Sequence, residues 1–150
     1  MPFGSIIVAV DGSEASREAL DQAVFLSRQS HAALTGIFVL DNQWADYIGN
    51  DWQSSSKARQ GFLEHIDDQQ RQQAEAARAQ FEQATRGIDR AAFAVLAGDP
   101  ASVMLEQLNH PQTDLLVFGR RTFQVSGRPS LKSAAKTLAS KAKRPLLLLP

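Results

Sequence analysis

Gly119, Arg120, Arg121, Lys132 and Ser133 are the residues whose types and spacing suit chemistry, and that chemistry is the binding of an anion. They lie in Leu115 to Ser133, LLVFGRRTFQVSGRPSLKS, where an apolar run stops at a glycine and a basic loop follows. A helical pattern then begins near Ser130. A glycine turn and a helix start both present backbone N–H groups, whose partial positive charge favours a phosphate. The placement of charge agrees. Asp114 is the last acidic residue, and eight of the 16 cations follow it: Arg120, Arg121, Arg128, Lys132, Lys136, Lys141, Lys143 and Arg144. The last three suit a helix C-terminus, where cations are stabilised by the helix dipole. Arg120, Arg121 and Lys132, beside the turn, are the anion-binding candidates.

A second polar turn, Asp11-Gly12-Ser13, follows the apolar run Ile6 to Val10. Ser13 is placed to cap the next helix. Asp11 has two readings, a local acceptor for turn amides or a ligand-facing carboxylate.

The elements that must position these turns are legible from periodicity. Ile6 to Val10, Ala33 to Leu40, Ala91 to Ala97, Leu115 to Phe118 and Leu146 to Leu149 read as buried strands. Gly36, inside the second, marks a weakened strand or the close approach of another backbone. Leu20, Ala23 and Val24 give the first helix its apolar face, and Phe62 to Thr85 reads as a long helix stopped by Gly87. Its middle, Asp67 to Gln73, is wholly polar and is expected to project beyond the sheet. Asp99 and Pro100 specify a helix start, with Ala101, Met104, Leu105 and Leu108 on one face. Leu131, Ala134, Ala135, Leu138, Ala139 and Ala142 line the last helix. Between Asp41 and about Gly61 runs a polar stretch carrying Trp44, Tyr47 and Trp52, read as a loop. A loop of that length has functional or anchoring uses, and it is expected to be mobile until a ligand or partner is bound.

Strands alternating with helices require crossover connections, and therefore a parallel sheet. The expected fold is α/β, a single doubly wound open sheet with helices on both faces, spanning residues 1–150 as one domain. Ligands of such sheets sit at the carboxyl ends of the strands, here Asp11, Asp41, Gly98 and Gly119.

Composition narrows the function classes. Cysteine is absent, which excludes disulfides, thiolate catalysis and cysteine metal sites. His31, His65 and His110 lack ligand spacing. No apolar run approaches a membrane span, and the N-terminus lacks a basic n-region, so a soluble cytoplasmic protein is expected.

Over essentially its whole length the chain resembles the universal stress protein family. IIVAVDGSEASREAL, GDPASVMLEQL, and DLLVFGRRT through KRPLLLLP carry the resemblance by their order and spacing. It implies five parallel strands in the Rossmann-like order 3-2-1-4-5, frequent dimers, and a role in stress survival. Some members bind ATP or AMP and others do not. The binding members carry Gly-x-x-Gly, nine residues, then Gly-Ser or Gly-Thr. Gly119 matches the first glycine, Thr122 and Lys132 replace the other two, and Ser133 keeps the hydroxyl. The resemblance adds Ala9, Val10 and Asp11, Val39, Gly98 and Ala134 to the nucleotide-binding candidates beside Gly119, Arg120, Arg121, Thr122, Lys132 and Ser133. Val39 reads equally as a core valine. Glycine allows positive φ and close backbone approach, which Thr and Lys do not allow easily, so ATP is expected to bind weakly or not at all.

The leading expectation is a regulatory module of the stress response that takes an adenine nucleotide or another phosphate ligand. The alternative is a dimeric interaction protein of the same fold with no nucleotide, acting on a client protein that the sequence does not identify. A weak nucleotide hydrolase ranks below both, since there is no Walker loop, metal cluster or nucleophile–base pair. A receiver domain lacks its acidic cluster, and nucleic-acid binding lacks aromatic-interleaved basic motifs. The expected homodimer forms through Leu146 to Leu149, an apolar strand at a sheet edge.

Overall fold

Ile6, Val8, Ala9 and Val10 have no solvent-accessible surface, as a β-branched run buried on both faces requires. The computed structural model describes residues 3–50, 56–123 and 134–150. Five strands, β1 (Ser5–Ala9), β2 (Ala33–Asp41), β3 (Ala91–Gly98), β4 (Leu115–Gly119) and β5 (Leu146–Leu149), form one sheet in the order β3-β2-β1-β4-β5. All four pairings are parallel, in registers such as Ile6 with Leu34 and with Leu115. Five helices join them: α1 (Glu14–Ser30), α2 (Trp44–Ile48), α3 (Ser56–Ala84), α4 (Pro100–Leu108) and α5 (Ala134–Lys141). Helices α1 and α3 touch each other over one face, and α4 and α5 touch each other over the opposite face. The core between them is built on Ile6, Leu20, Leu34, Phe38, Met104, Leu116, Phe118 and Leu138.

The caps form as their residues dictate. Ser13 accepts a hydrogen bond from the Ser16 amide at 3.2 Å, and Asp99 accepts from the Ser102 amide at 3.1 Å ahead of Pro100.

Three expectations change. The polar stretch after Asp41 is not one loop, because α2 forms at Trp44–Ile48 and α3 begins at Ser56, earlier than Phe62. Trp44 anchors α2, with its ring 5.7 Å from Tyr47 and 6.1 Å from Phe62. Arg59 donates to the Gly49 and Ala45 carbonyls, drawing α2 against α3; Trp52 lies outside the described residues. Secondly, Asp67 to Gln73 does not simply project. Gln70 is buried and clamps the end of β2, accepting from the Asp41 amide at 2.7 Å and donating to the Asp41 carbonyl at 2.9 Å. A side-chain amide can imitate one more strand pairing, which composition alone does not reveal.

Lastly, Gly36 is approached by a ring and not by a backbone. A Cβ there would lie 2.5 Å from Phe81 Cδ1, and Phe81 is itself buried. Gly36→Ala is therefore expected to lose about 2 kcal/mol through overpacking. The check is a lowered urea midpoint with an unchanged slope.

Candidate functional site

The crevice lies where the strand order reverses, between the carboxyl ends of β1 and β4. Asp11, just beyond β1, is buried. Its Oδ1 accepts from the Ser13 amide at 3.0 Å and from the Ser13 hydroxyl. Its Oδ2 accepts from the Phe123 amide at 2.8 Å, across 112 residues of chain. One carboxylate thus fixes the α1 cap with one oxygen and the turn after β4 with the other.

The cap is held from a third side. Gln80 of α3 accepts from the Ser16 hydroxyl at 2.7 Å and donates to the Ser13 carbonyl at 3.1 Å.

Gly119 is required by close approach. A Cβ there would sit 2.6 Å from the Ala15 carbonyl oxygen in the first turn of α1, a backbone atom that cannot swing aside. The glycine signal in the sequence therefore has a packing origin, whatever the ligand.

The amides of the following turn are already engaged. The Arg120 N–H donates to the Leu149 carbonyl at 2.9 Å, the Thr122 N–H to the Gly119 carbonyl at 2.9 Å, and the Phe123 N–H to Asp11. Of these, the Arg120 and Thr122 amides belong to the turn expected from the sequence to face a phosphate, and all three are directed into the protein. Thr122 is buried, and among the described residues its hydroxyl has no partner. Arg120 and Arg121 are exposed at the mouth and bring positive charge there.

Phe123 completes the closure. It is 2% exposed, holds φ at +70°, and meets Phe38 at 6.1 Å and Phe118 at 6.2 Å between ring centroids. A non-glycine residue with that φ is strained by about 1–3 kcal/mol, and such strain persists only where surroundings over-determine it. Here the Asp11 bond and the two rings do so.

The remaining candidates divide. Ala9, Val10 and Val39 are buried in the core, and Val39 lies on β2 in register with Leu96. Gly98 ends β3 with φ at +151° and accepts from the Asn42 amide at 3.4 Å. Ala134 opens α5, half-buried. Lys132 and Ser133 lie outside the described residues, as does the expected helix start near Ser130. Sequence reasoning missed Phe123, whose only signal is a lone aromatic in a polar loop, and Gln80, which has none.

An open hollow of about 360 Å³ lies at the other end of the sheet, lined by Ser27, Arg28, His31, Gly87 and Arg90. The C-termini of α1 and α3 converge on it, and their carbonyls oppose an anion. The switch point remains the candidate site.

Comparison with known proteins agrees with this architecture. The family model described as the universal stress protein family matches residues 2–150. Universal stress protein Sll1388 of Synechocystis sp. is 26% identical over 124 residues, covering 81% of this chain and 80% of that protein. Among solved structures, universal stress protein UspA from Lactobacillus plantarum superposes with a TM-score of 0.73 at 23% identity, over 100% of this chain and 99% of that one. A universal stress protein in complex with cAMP gives a TM-score of 0.66 at 20% identity, over 100% and 99%.

Proposed function

Since the chain belongs to the universal stress protein family, we propose that it is a cytoplasmic regulatory module of the stress response whose phosphate-facing turn is closed on itself. An adenine nucleotide then enters only weakly, drawn by the basic mouth. The observation that carries this reading is the engagement of the Arg120, Thr122 and Phe123 amides within the chain. Fixed amides bind phosphate with little salt dependence, whereas mobile guanidinium and ammonium groups are screened over about 10 Å at 0.1 M salt. The structural neighbour with cAMP motivates the choice of adenine ligands.

Equilibrium dialysis with ATP, AMP and cAMP at low and high salt tests the proposal. Weak binding that disappears with salt is the expected result; tight, salt-insensitive ATP binding would overturn it. The double change Thr122→Gly and Lys132→Gly strengthens ATP binding if backbone access is limiting, and weakens it if Lys132 is itself the phosphate ligand.

The second reading is the same module acting as a homodimer without nucleotide. It is favoured by β5, which among the described residues pairs only with β4 and whose four leucines are only half-buried. A strict monomer in sedimentation at micromolar concentration would remove it.

A further inference from the structure

Beyond the end of β1 the sheet has a gap. Ala9 pairs with Ile37 and Val8 with Val117, while β2 runs on to Asp41 and β4 to Gly119. The two strands that flank β1 stand two strand spacings apart, about 10 Å. The ring of Phe123 fills this gap. Its centroid lies 6.1 Å from that of Phe38 on β2 and 6.2 Å from that of Phe118 on β4. Its amide is bonded to Asp11, just past β1.

Phe123 is a core residue by burial, but not by origin. Neither a strand nor a helix supplies it. It hangs from the turn after β4 at a φ of +70°, and Thr122 before it keeps a buried hydroxyl with no partner among the described residues. Both features raise the free energy of the closed turn. Opening the turn relieves both, so a group that fills the same gap displaces the ring more easily than it would displace a relaxed core residue.

We propose that Phe123 is an internal stand-in for a ligand's planar ring, and that the ligand ring takes its position between Phe38 and Phe118 when the turn opens. This assignment, which rests on the adenine ligand proposed above, makes the base rather than the phosphate the competitor of the closed turn. The contacts select an aromatic ring. The Phe123 pairs lie at interplanar angles of 71° and 52°, arrangements in which a positive ring edge meets a negative ring face. An aliphatic chain of equal volume does not reproduce them. The six-membered ring of adenine matches a phenyl ring in size. Its five-membered ring, with sugar and phosphate, then lies toward the exposed Arg120 and Arg121.

The test separates ring from phosphate. Adenosine carries the base without a phosphate, and ribose 5-phosphate carries the phosphate without a base. Phe123→Gly is expected to bind adenosine at least about tenfold more tightly than the natural protein does, with no change between low and high salt. Adenosine is also expected to raise the Tm of that variant. Ribose 5-phosphate is expected to gain less than about twofold. An equal gain for ribose 5-phosphate, or no gain for adenosine, would overturn the proposal. The adenosine gain supports the ring position whether or not the phosphate turn passes its own salt test with ATP, so the two readings are judged separately. Where Phe123→Gly does not fold, para-fluorophenylalanine placed at position 123 of the natural chain gives the second measurement. Its fluorine resonance is expected to move from a buried to a water-exposed value as AMP is added. A resonance unmoved at about 10 mM AMP would then overturn the proposal.

Discussion

Asp11→Ala is expected to lower the stability of the protein by about 4 kcal/mol. Three hydrogen bonds to a carboxylate disappear together, two from Ser13 and one from the Phe123 amide. Bonds to a charged acceptor contribute about 1.5–3 kcal/mol each, and a buried amide left unpaired adds a penalty of about 1–3 kcal/mol. The sum is not additive, because losing the cap and losing the turn relax the same region. For a chain of this size the change corresponds to a fall of roughly 10 °C in Tm. Asp11→Asn keeps one acceptor oxygen and is expected to lose about half as much. Ser13→Ala is expected to lose about 1 kcal/mol alone, and less when Asp11 is already alanine. Chemical denaturation of the four proteins checks the cycle. Were Asp11 held in reserve for a ligand, its removal would leave the free protein at least as stable as before, and that outcome would sink the structural account of the turn.

The second large effect concerns Phe123. Deleting its ring is expected to destabilise by about 3–5 kcal/mol in Phe123→Ala, through the cavity left between Phe38 and Phe118. Glycine removes the same ring but also the strain of φ +70°. Phe123→Gly is therefore expected to be about 1 kcal/mol more stable than Phe123→Ala. That reverses the usual order of the two residues. Both variants open the crevice, and dialysis should show adenine nucleotide affinity rising by about tenfold, equivalent to about 1.4 kcal/mol. Alanine more stable than glycine would show that the backbone there is unstrained. Unchanged affinity in both variants would show that Phe123 does not limit access to the crevice.

Much of the fold was legible before any coordinates. Ile6 to Val10 and Leu115 to Phe118 must be buried on both faces, because no polar residue interrupts them. Asp99-Pro100 and Ser13 announce helix starts through groups that only a helix terminus needs. These are local statements, true of ten or so residues at a time. Strand order was not local: periodicity supplied strands and crossovers, and the family resemblance supplied the arrangement that the sheet displays.

The site divides along the same line. Sequence by itself determined that Asp11 and Gly119 each end an apolar strand and that cations gather after Asp114, because residue type and order fix where charge and turns fall. Only the tertiary structure decided that Asp11 meets the Phe123 amide, that Gly119 is small because of the Ala15 carbonyl, and that Gln70 lies buried against Asp41. It decided also that the amides of the turn point inward and that β3 stands at the edge of the sheet. The physical reason is range. Capping and strand periodicity act through neighbours on the chain, whereas the direction of a buried donor is set by whichever acceptor the packed sheet and helices bring within 3 Å of it.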